Sequence, residues 1–164
     1  MLGIEGMSDD LVEDFFRLDE AGAFEGYGKT ELIRGEVFYM NAQHRPHARM
    51  KGRLHLELSK VLAELDNGLD VVVEATVAIP PHSAPEPDLV ITSEPEGEGQ
   101  VPIHSVRLVI EIADSTQAND LGGKAYLYAE AGVPNTGWST SRGAWCTRCG
   151  RRRVQFMTNV GSST

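Results

Sequence analysis

An α/β (α+β) domain with a mixed β-sheet flanked by helices is the fold that the order of patterns in this chain predicts. Helix-period and strand-period segments follow one another as helix, hairpin, helix, strand, strand, strand, helix. The run VRLVIEIA at 106–113 is almost continuously apolar, as a central strand covered on both faces is. The 164 residues, 41% apolar and 24% charged, suffice for one domain with an ordinary core.

The elements follow in order. Ser8-Asp9-Asp10 ahead of Leu11, Val12, Phe15 and Phe16 predicts an amphipathic helix with Ser8 as N-cap and acids in its first turn. The Gly-rich stretch 21–28 is a loop. ELIR and VFYM within 31–40 predict two β segments meeting at Arg34-Gly35. After the polar break 41–47, a helix should run from about His47 to Leu65. Met50, Leu54, Leu58, Val61, Leu62 and Leu65 form its apolar face, and Asn67-Gly68 ends it. The β-branched run 71–79 predicts one strand, EPDLVI at 86–91 a second and 106–113 a third. SEPEGEGQ is a loop. A helix over Asn119–Ala131, capped by Gly132, completes the pattern.

The formal net charge of −9 speaks against a protein that coats nucleic acid, which needs a basic surface. A metal-dependent nuclease escapes that objection, because ions bring positive charge into a site of carboxylates. No run of 18 apolar residues exists, which excludes a transmembrane helix. The acidic N-terminus lacks the basic stretch of a secretory signal. Two cysteines, Cys146 and Cys149, fit a reducing compartment, and the expected location is the cytoplasm. Cys146-Thr147-Arg148-Cys149 has no second pair to complete a zinc site.

Three residues stand out chemically. Asp88 opens a short apolar strand, where an Asp also serves as a turn cap. Glu111 interrupts a strand that should be buried, and a carboxylate there is costly unless paired or metal-bound. Lys124 shares a helix face with Asp120 and Tyr128 at i, i+4 spacing, which also describes a solvated ion pair. Together, two carboxylates on successive strands and a cation just beyond describe a Mg²⁺ site acting on a phosphodiester. In that reading Asp88 and Glu111 hold the ion and Lys124 positions the attacking water or stabilises developing charge. Two readings compete with it: a catalytically silent interaction or binding domain of the same fold, and a plain binding protein in which Glu111 belongs to a structural ion pair.

The segments ELIRGEVFYM, HARMKGRLHLELSKVL, EPDLVI and VIEIADST-(x)3-DLGGKAYLYAEAGVP, covering about residues 27–134, resemble the Uma-two family of restriction endonucleases, in the PD-(D/E)XK nuclease superfamily. The resemblance implies a restriction-endonuclease-like fold and Mg²⁺-dependent cleavage of DNA, with Mn²⁺ as a substitute ion. It makes Asp88 the motif aspartate and Glu111 the motif glutamate. The superfamily lysine two residues later is Ala113 here, and Lys124 on the following helix replaces it. Glu36 matches an upstream Gly-Glu and is expected as an outer metal ligand; His47 matches a histidine opening the long helix. With Asp120 and Tyr128 it is expected to support the site. Arg34 stands where the family has Asp, and Ala113-Asp114-Ser115-Thr116 where it has a Ser-Pro-Ser-Thr-like segment. The expected partners are DNA and a second copy of the chain in a dimer, with no membrane.

The run from His44 to Arg53 is the basic patch of the first 134 residues. Cations at a helix N-terminus oppose the dipole, so Arg45, Arg49, Lys51 and Arg53 are expected to contact phosphate. The last 30 residues differ in character. All 24 acids lie in 1–134, whereas 135–164 holds five arginines and no acid. The reading therefore separates a nuclease domain, 1–134, from an anomalous and poorly ordered tail, 135–164, that supplies no sheet strand. NTGWSTSRGAWCTR can be encoded by codons that, shifted by one base, spell EYWVVDLEGxVVYT, the strand type the family would supply there. A single-base deletion after Pro134 explains such a tail.

Overall fold

The computed structural model describes the backbone of residues 9–40, 42–113, 121–140, 143–148 and 152–156. Helix α1 spans Leu11–Glu20 and is capped by Asp10, whose carboxylate accepts the N–H groups of Val12 and Glu13 at 3.0 and 3.4 Å. Asp10 therefore holds the place expected of Ser8, which lies outside the described residues. Val12 and Phe15 pack on Leu32 and Ala84.

Strands β1 (Thr30–Ile33) and β2 (Glu36–Tyr39) form the expected hairpin. Its two turn residues, Arg34 and Gly35, both have positive φ, 52° and 84°, which matches the right-handed twist of the strands. The long helix α2, Arg45–Leu65, begins two residues before the expected His47 and ends at Leu65 as expected, with Asp66 in the left-handed conformation as its C-cap. Its inward stripe runs His47, Lys51, Leu54, Leu58, Leu62. Val61 and Leu65, expected on that stripe, are exposed: at about 100° per residue Val61 falls at the edge of the stripe, and Leu65 is the last residue of the helix.

The expected strand 71–79 is two strands, β3 (Asp70–Val73) and β4 (Val77–Ala78). The chain breaks at Glu74, whose φ is +53°. Strand β4 pairs in parallel with β6 (Val101–Pro102), a strand the sequence does not announce, and one 3₁₀ turn follows at Ile103–Ser105. The main sheet contains β3, β5 (Leu89–Thr92), β7 (Val106–Ala113), β8 (Asn135–Thr140), β9 (Gly143–Arg148) and β10 (Arg152–Phe156), in the order β10-β9-β8-β7-β5-β3. The pair β7–β8 is parallel and the rest antiparallel. A parallel pair needs a crossover, and α3 (Leu121–Glu130) supplies it.

Residues 135–156 correct the expectation that no strand follows Pro134. β8 lies beside β7, with Glu111 opposite Trp138, and β9 and β10 extend the sheet. The side positions of β8 are unusual for an inner strand: Thr136 and Ser139 are buried where apolar residues belong.

Alternation explains the two-sided core. Leu89, Ile91 and Ile110 face Leu62 of α2, whereas Val90 and Val109 face Tyr128 of α3. β7 is the doubly covered strand its sequence predicts.

Candidate functional site

Register brings the two acids together. Leu89 of β5 pairs with Ile110 of β7, so the next pair outward is Asp88 with Glu111. Residues directly opposite in an antiparallel pair share a face, with Cβ atoms about 5 Å apart. Both side chains are buried, at 6% and 5% exposure. The Ile112 N–H donates to Asp88 Oδ2 at 2.8 Å, pinning the carboxylate to β7.

Glu111 is served by α3. The Tyr128 hydroxyl donates to Glu111 Oε1 at 2.9 Å, and Lys124 Nζ lies 3.6 Å from the same oxygen. One turn separates Lys124 from Tyr128, so both reach the same carboxylate. Lys124 also binds Glu31 Oε2 at 2.8 Å, and that oxygen accepts the Glu86 N–H at 3.1 Å.

Asp88 is served by α2. His47 Nε2 lies 2.7 Å from Oδ1, Lys51 Nζ 3.2 Å and Gln43 Nε2 3.3 Å. Lys51 also donates to Gln43 Oε1 at 2.5 Å and makes a short contact with Glu74. Lys29 ties Glu74 to Glu86, at 3.0 and 2.5 Å.

Burial sets the electrostatics. It pushes the Glu111 carboxyl up to about 7; Lys124 and the Tyr128 hydroxyl pull it back, and Asp88 and Glu31 push it further. Burial works against the Lys124 ammonium, but Glu111 and Glu31, with Asp88, outweigh it and raise its pKa. Burial and then Glu111 hold the Tyr128 phenol well above its usual range, so it stays a donor. The Lys51 hydrogen bond lowers the pKa of Glu74.

The sequence-predicted residues divide. Asp88, Glu111, Lys124, Tyr128 and His47 come together. Asp120 lies outside the described residues. Glu36 does not join them: every residue of the outer strand β2 is exposed, and Glu31 on the inner strand β1 occupies the site instead. Lys51, expected on the DNA-facing surface, is 6% exposed and bonded to Asp88. Arg45, Arg49 and Arg53 are exposed and lie at i, i+4, i+8, about half a turn of helix away from His47 and Lys51. Gln43, Glu74, Glu86 and Lys29 carry no role in the sequence reading. Lys51 had a readable signal: carried back from Leu62, the buried spacing 58, 54, 51, 47 passes through it.

Among the described residues, no three acidic, histidine or cysteine side chains converge as a preformed metal cage. Two facing carboxylates nevertheless suit a hard dication such as Mg²⁺, which keeps several waters and takes one or two protein carboxylates. The donor chemistry fits: a buried acid whose pKa is raised partly by neighbouring acids is a place where added positive charge is favourable.

The family model Uma2, described as "Putative restriction endonuclease", matches residues 12–154. The chain belongs to the Uma2 family. A crystal structure of "a putative nuclease belonging to DUF820" from Anabaena variabilis shares the fold, at a TM-score of 0.65 and 15% identity over 85% of this chain and 83% of that one. The cryo-electron microscopy structure of the DrdV–DNA complex matches at 22% identity over 90% of this chain and 87% of that one, with a TM-score of 0.42, too low for a shared fold. No curated protein matches. The Uma2 match runs through β8, β9 and most of β10, the strands that the sequence reading places in a tail.

Proposed function

We infer that this Uma2 protein is a metal-dependent DNA endonuclease that hydrolyses phosphodiester bonds. The observation that carries the reading is the facing, buried pair Asp88 and Glu111, with the Lys124 ammonium 3.6 Å from Glu111. Asp88 and Glu111 are the residues that would hold Mg²⁺, or Mn²⁺ in its place. When bound, such an ion neutralises phosphate charge and lowers the pKa of a coordinated water. The Ile112 N–H fixes the rotamer of Asp88, and the Tyr128 hydroxyl fixes that of Glu111. Glu31 holds Lys124 from behind, leaving the remaining ammonium protons to orient a water or meet a developing oxyanion. The exposed arginines of α2, Arg45, Arg49 and Arg53, supply phosphate-binding charge on an otherwise acidic chain. The proposed cellular setting is the cytoplasm, and the proposed assembly a dimer.

Incubation of supercoiled plasmid with the protein and Mg²⁺ tests this. The parent should nick or linearise the plasmid, and Asp88→Ala and Glu111→Ala should not. If either variant cleaves as the parent does, the site assignment fails. One observation favours a second reading, a catalytically silent binding domain: three donors already occupy Asp88 Oδ1. That reading requires that calorimetry detect no Mg²⁺ or Mn²⁺ binding.

We also propose that residues 135–164 are the product of a single-base deletion. The support is the codon relation noted above and the burial of Thr136 and Ser139 in an inner strand. The restored frame would place an apolar strand, YWVV, in this stretch. Resequencing the gene decides it: a coding sequence with no recoverable frame of that type disproves the deletion.

A further inference from the structure

Lys51 occupies the oxygen of Asp88 that a cation would need, and the fold provides somewhere else for that ammonium to go. Lys51 has three partners, Gln43, Glu74 and Asp88, and the Asp88 contact at 3.2 Å is the longest of them. Glu74 is an unusual residue at its position in one respect: its φ of +53° falls in the left-handed region, which strains residues other than glycine or asparagine. That conformation breaks the strand between β3 and β4 and aims a carboxylate at Lys51. Two further contacts hold Glu74 in place. Its N–H donates to the Asp88 carbonyl at 3.2 Å, and its other carboxylate oxygen binds Lys29 at 3.0 Å, which in turn binds Glu86. Glu74 is thus fixed to the backbone of the residue whose side chain it competes with for Lys51.

We propose that Glu74 is a positioning residue that draws the Lys51 ammonium away from Asp88 Oδ1, removing the positive charge that competes with a divalent cation for Asp88. The inference rests on the metal-dependent reading above. Without metal, Lys51 bridges Glu74 and Asp88 and shares its one positive charge between them. When a cation takes Asp88, Lys51 keeps Glu74 and Gln43, so no buried ammonium is left unpaired. Lys29 keeps Glu74 paired even when Lys51 leans the other way. Without the Glu74 carboxylate, Lys51 has Asp88 as its one acidic partner among the described residues, and competes with the metal for it.

The test is a calorimetric Mn²⁺ titration of the full chain and four variants, none of which needs DNA or turnover. Glu74→Gln removes the charge and keeps the shape. Glu74→Gly removes it on a backbone that accepts the positive φ, so a folding defect of the first variant does not end the experiment. Both should bind Mn²⁺ about 10- to 100-fold more weakly than the parent, the range typical of groups that orient a metal ligand. Lys51→Met should bind at least as tightly as the parent. Adding Glu74→Gln to Lys51→Met should then change the affinity little, because the effect runs through Lys51. If the Glu74 variants bind as the parent does, or if Glu74→Gln costs the same with and without Lys51, this inference is overturned while the metal site stands. If the parent itself binds no Mn²⁺, the metal-dependent reading fails and this one falls with it.

Discussion

Glu111 should make the metal-free protein less stable as the pH rises from 4.5 to 7. Its carboxyl is held at about 7 in the folded chain, against 4.5 in its ordinary state, chiefly by burial. Over that window the folded state keeps a proton that the unfolded state has lost. Stability falls wherever the folded state binds more protons, so the Glu111 contribution is full below pH 4.5, declines through the window and levels off above 7. A shift from 4.5 to about 7 corresponds to about 3 kcal/mol at 1.36 kcal/mol per pH unit. Glu111→Gln keeps the acceptor for Tyr128 and removes the ionisation. At pH 8 it should be more stable than the parent by up to about 3 kcal/mol, roughly 6–12 °C in Tm for a chain of this size. At pH 4.5 the two should differ little. Urea denaturation of both proteins at pH 4.5, 6, 7 and 8, with a chelator present, measures this. A difference between parent and variant that is the same at every pH would refute the reasoning. Saturating Mg²⁺ at pH 8 should stabilise the parent and leave the variant unmoved, since only the parent can exchange the unfavourable charge for an ion pair.

The other predictions concern separate parts of the molecule. Lys124→Met should lower plasmid cleavage by about 10²–10⁴-fold while retaining DNA affinity, measured by single-turnover cleavage beside a binding assay; equal loss of both would contradict its place at the reacting phosphate. Arg45→Ala, Arg49→Ala and Arg53→Ala should weaken DNA binding and reduce the salt dependence of log K by about one unit each, without altering Mn²⁺ affinity. Leu89→Ala, at a side chain fully buried under α2, should cost about 3–5 kcal/mol in chemical denaturation. Gly35→Ala should destabilise by about 1–2 kcal/mol, because Gly35 has φ +84° and an added Cβ would meet Leu11 Cδ1 at 3.1 Å; an unchanged denaturation midpoint would exclude that turn geometry.

The sequence by itself determined the strand and helix order as far as α3, apart from the break at Glu74 and strand β6, and with it the two carboxylates. Glu111 was legible because a charge inside an apolar strand is costly, and Lys124 with Tyr128 because helix spacing places them on one face. The same rules mislead where an outcome depends on neighbours. Glu31 and Glu36 sit in one hairpin and look alike in the sequence; β1 is packed into the domain and β2 is its outer strand, and only the packing distinguishes them. The basic run of α2 looks like one patch, but a 100° step per residue turns Lys51 and His47 inward and leaves Arg45, Arg49 and Arg53 outside. Glu74 gave no signal, because a left-handed φ at a non-glycine residue is imposed by surroundings. β8 was missed because NTGWST lacks the apolar run expected of an inner strand; its place beside β7 follows from the crossover through α3. Local pattern reports the cost of burying a group, and tertiary structure decides which partners meet that cost.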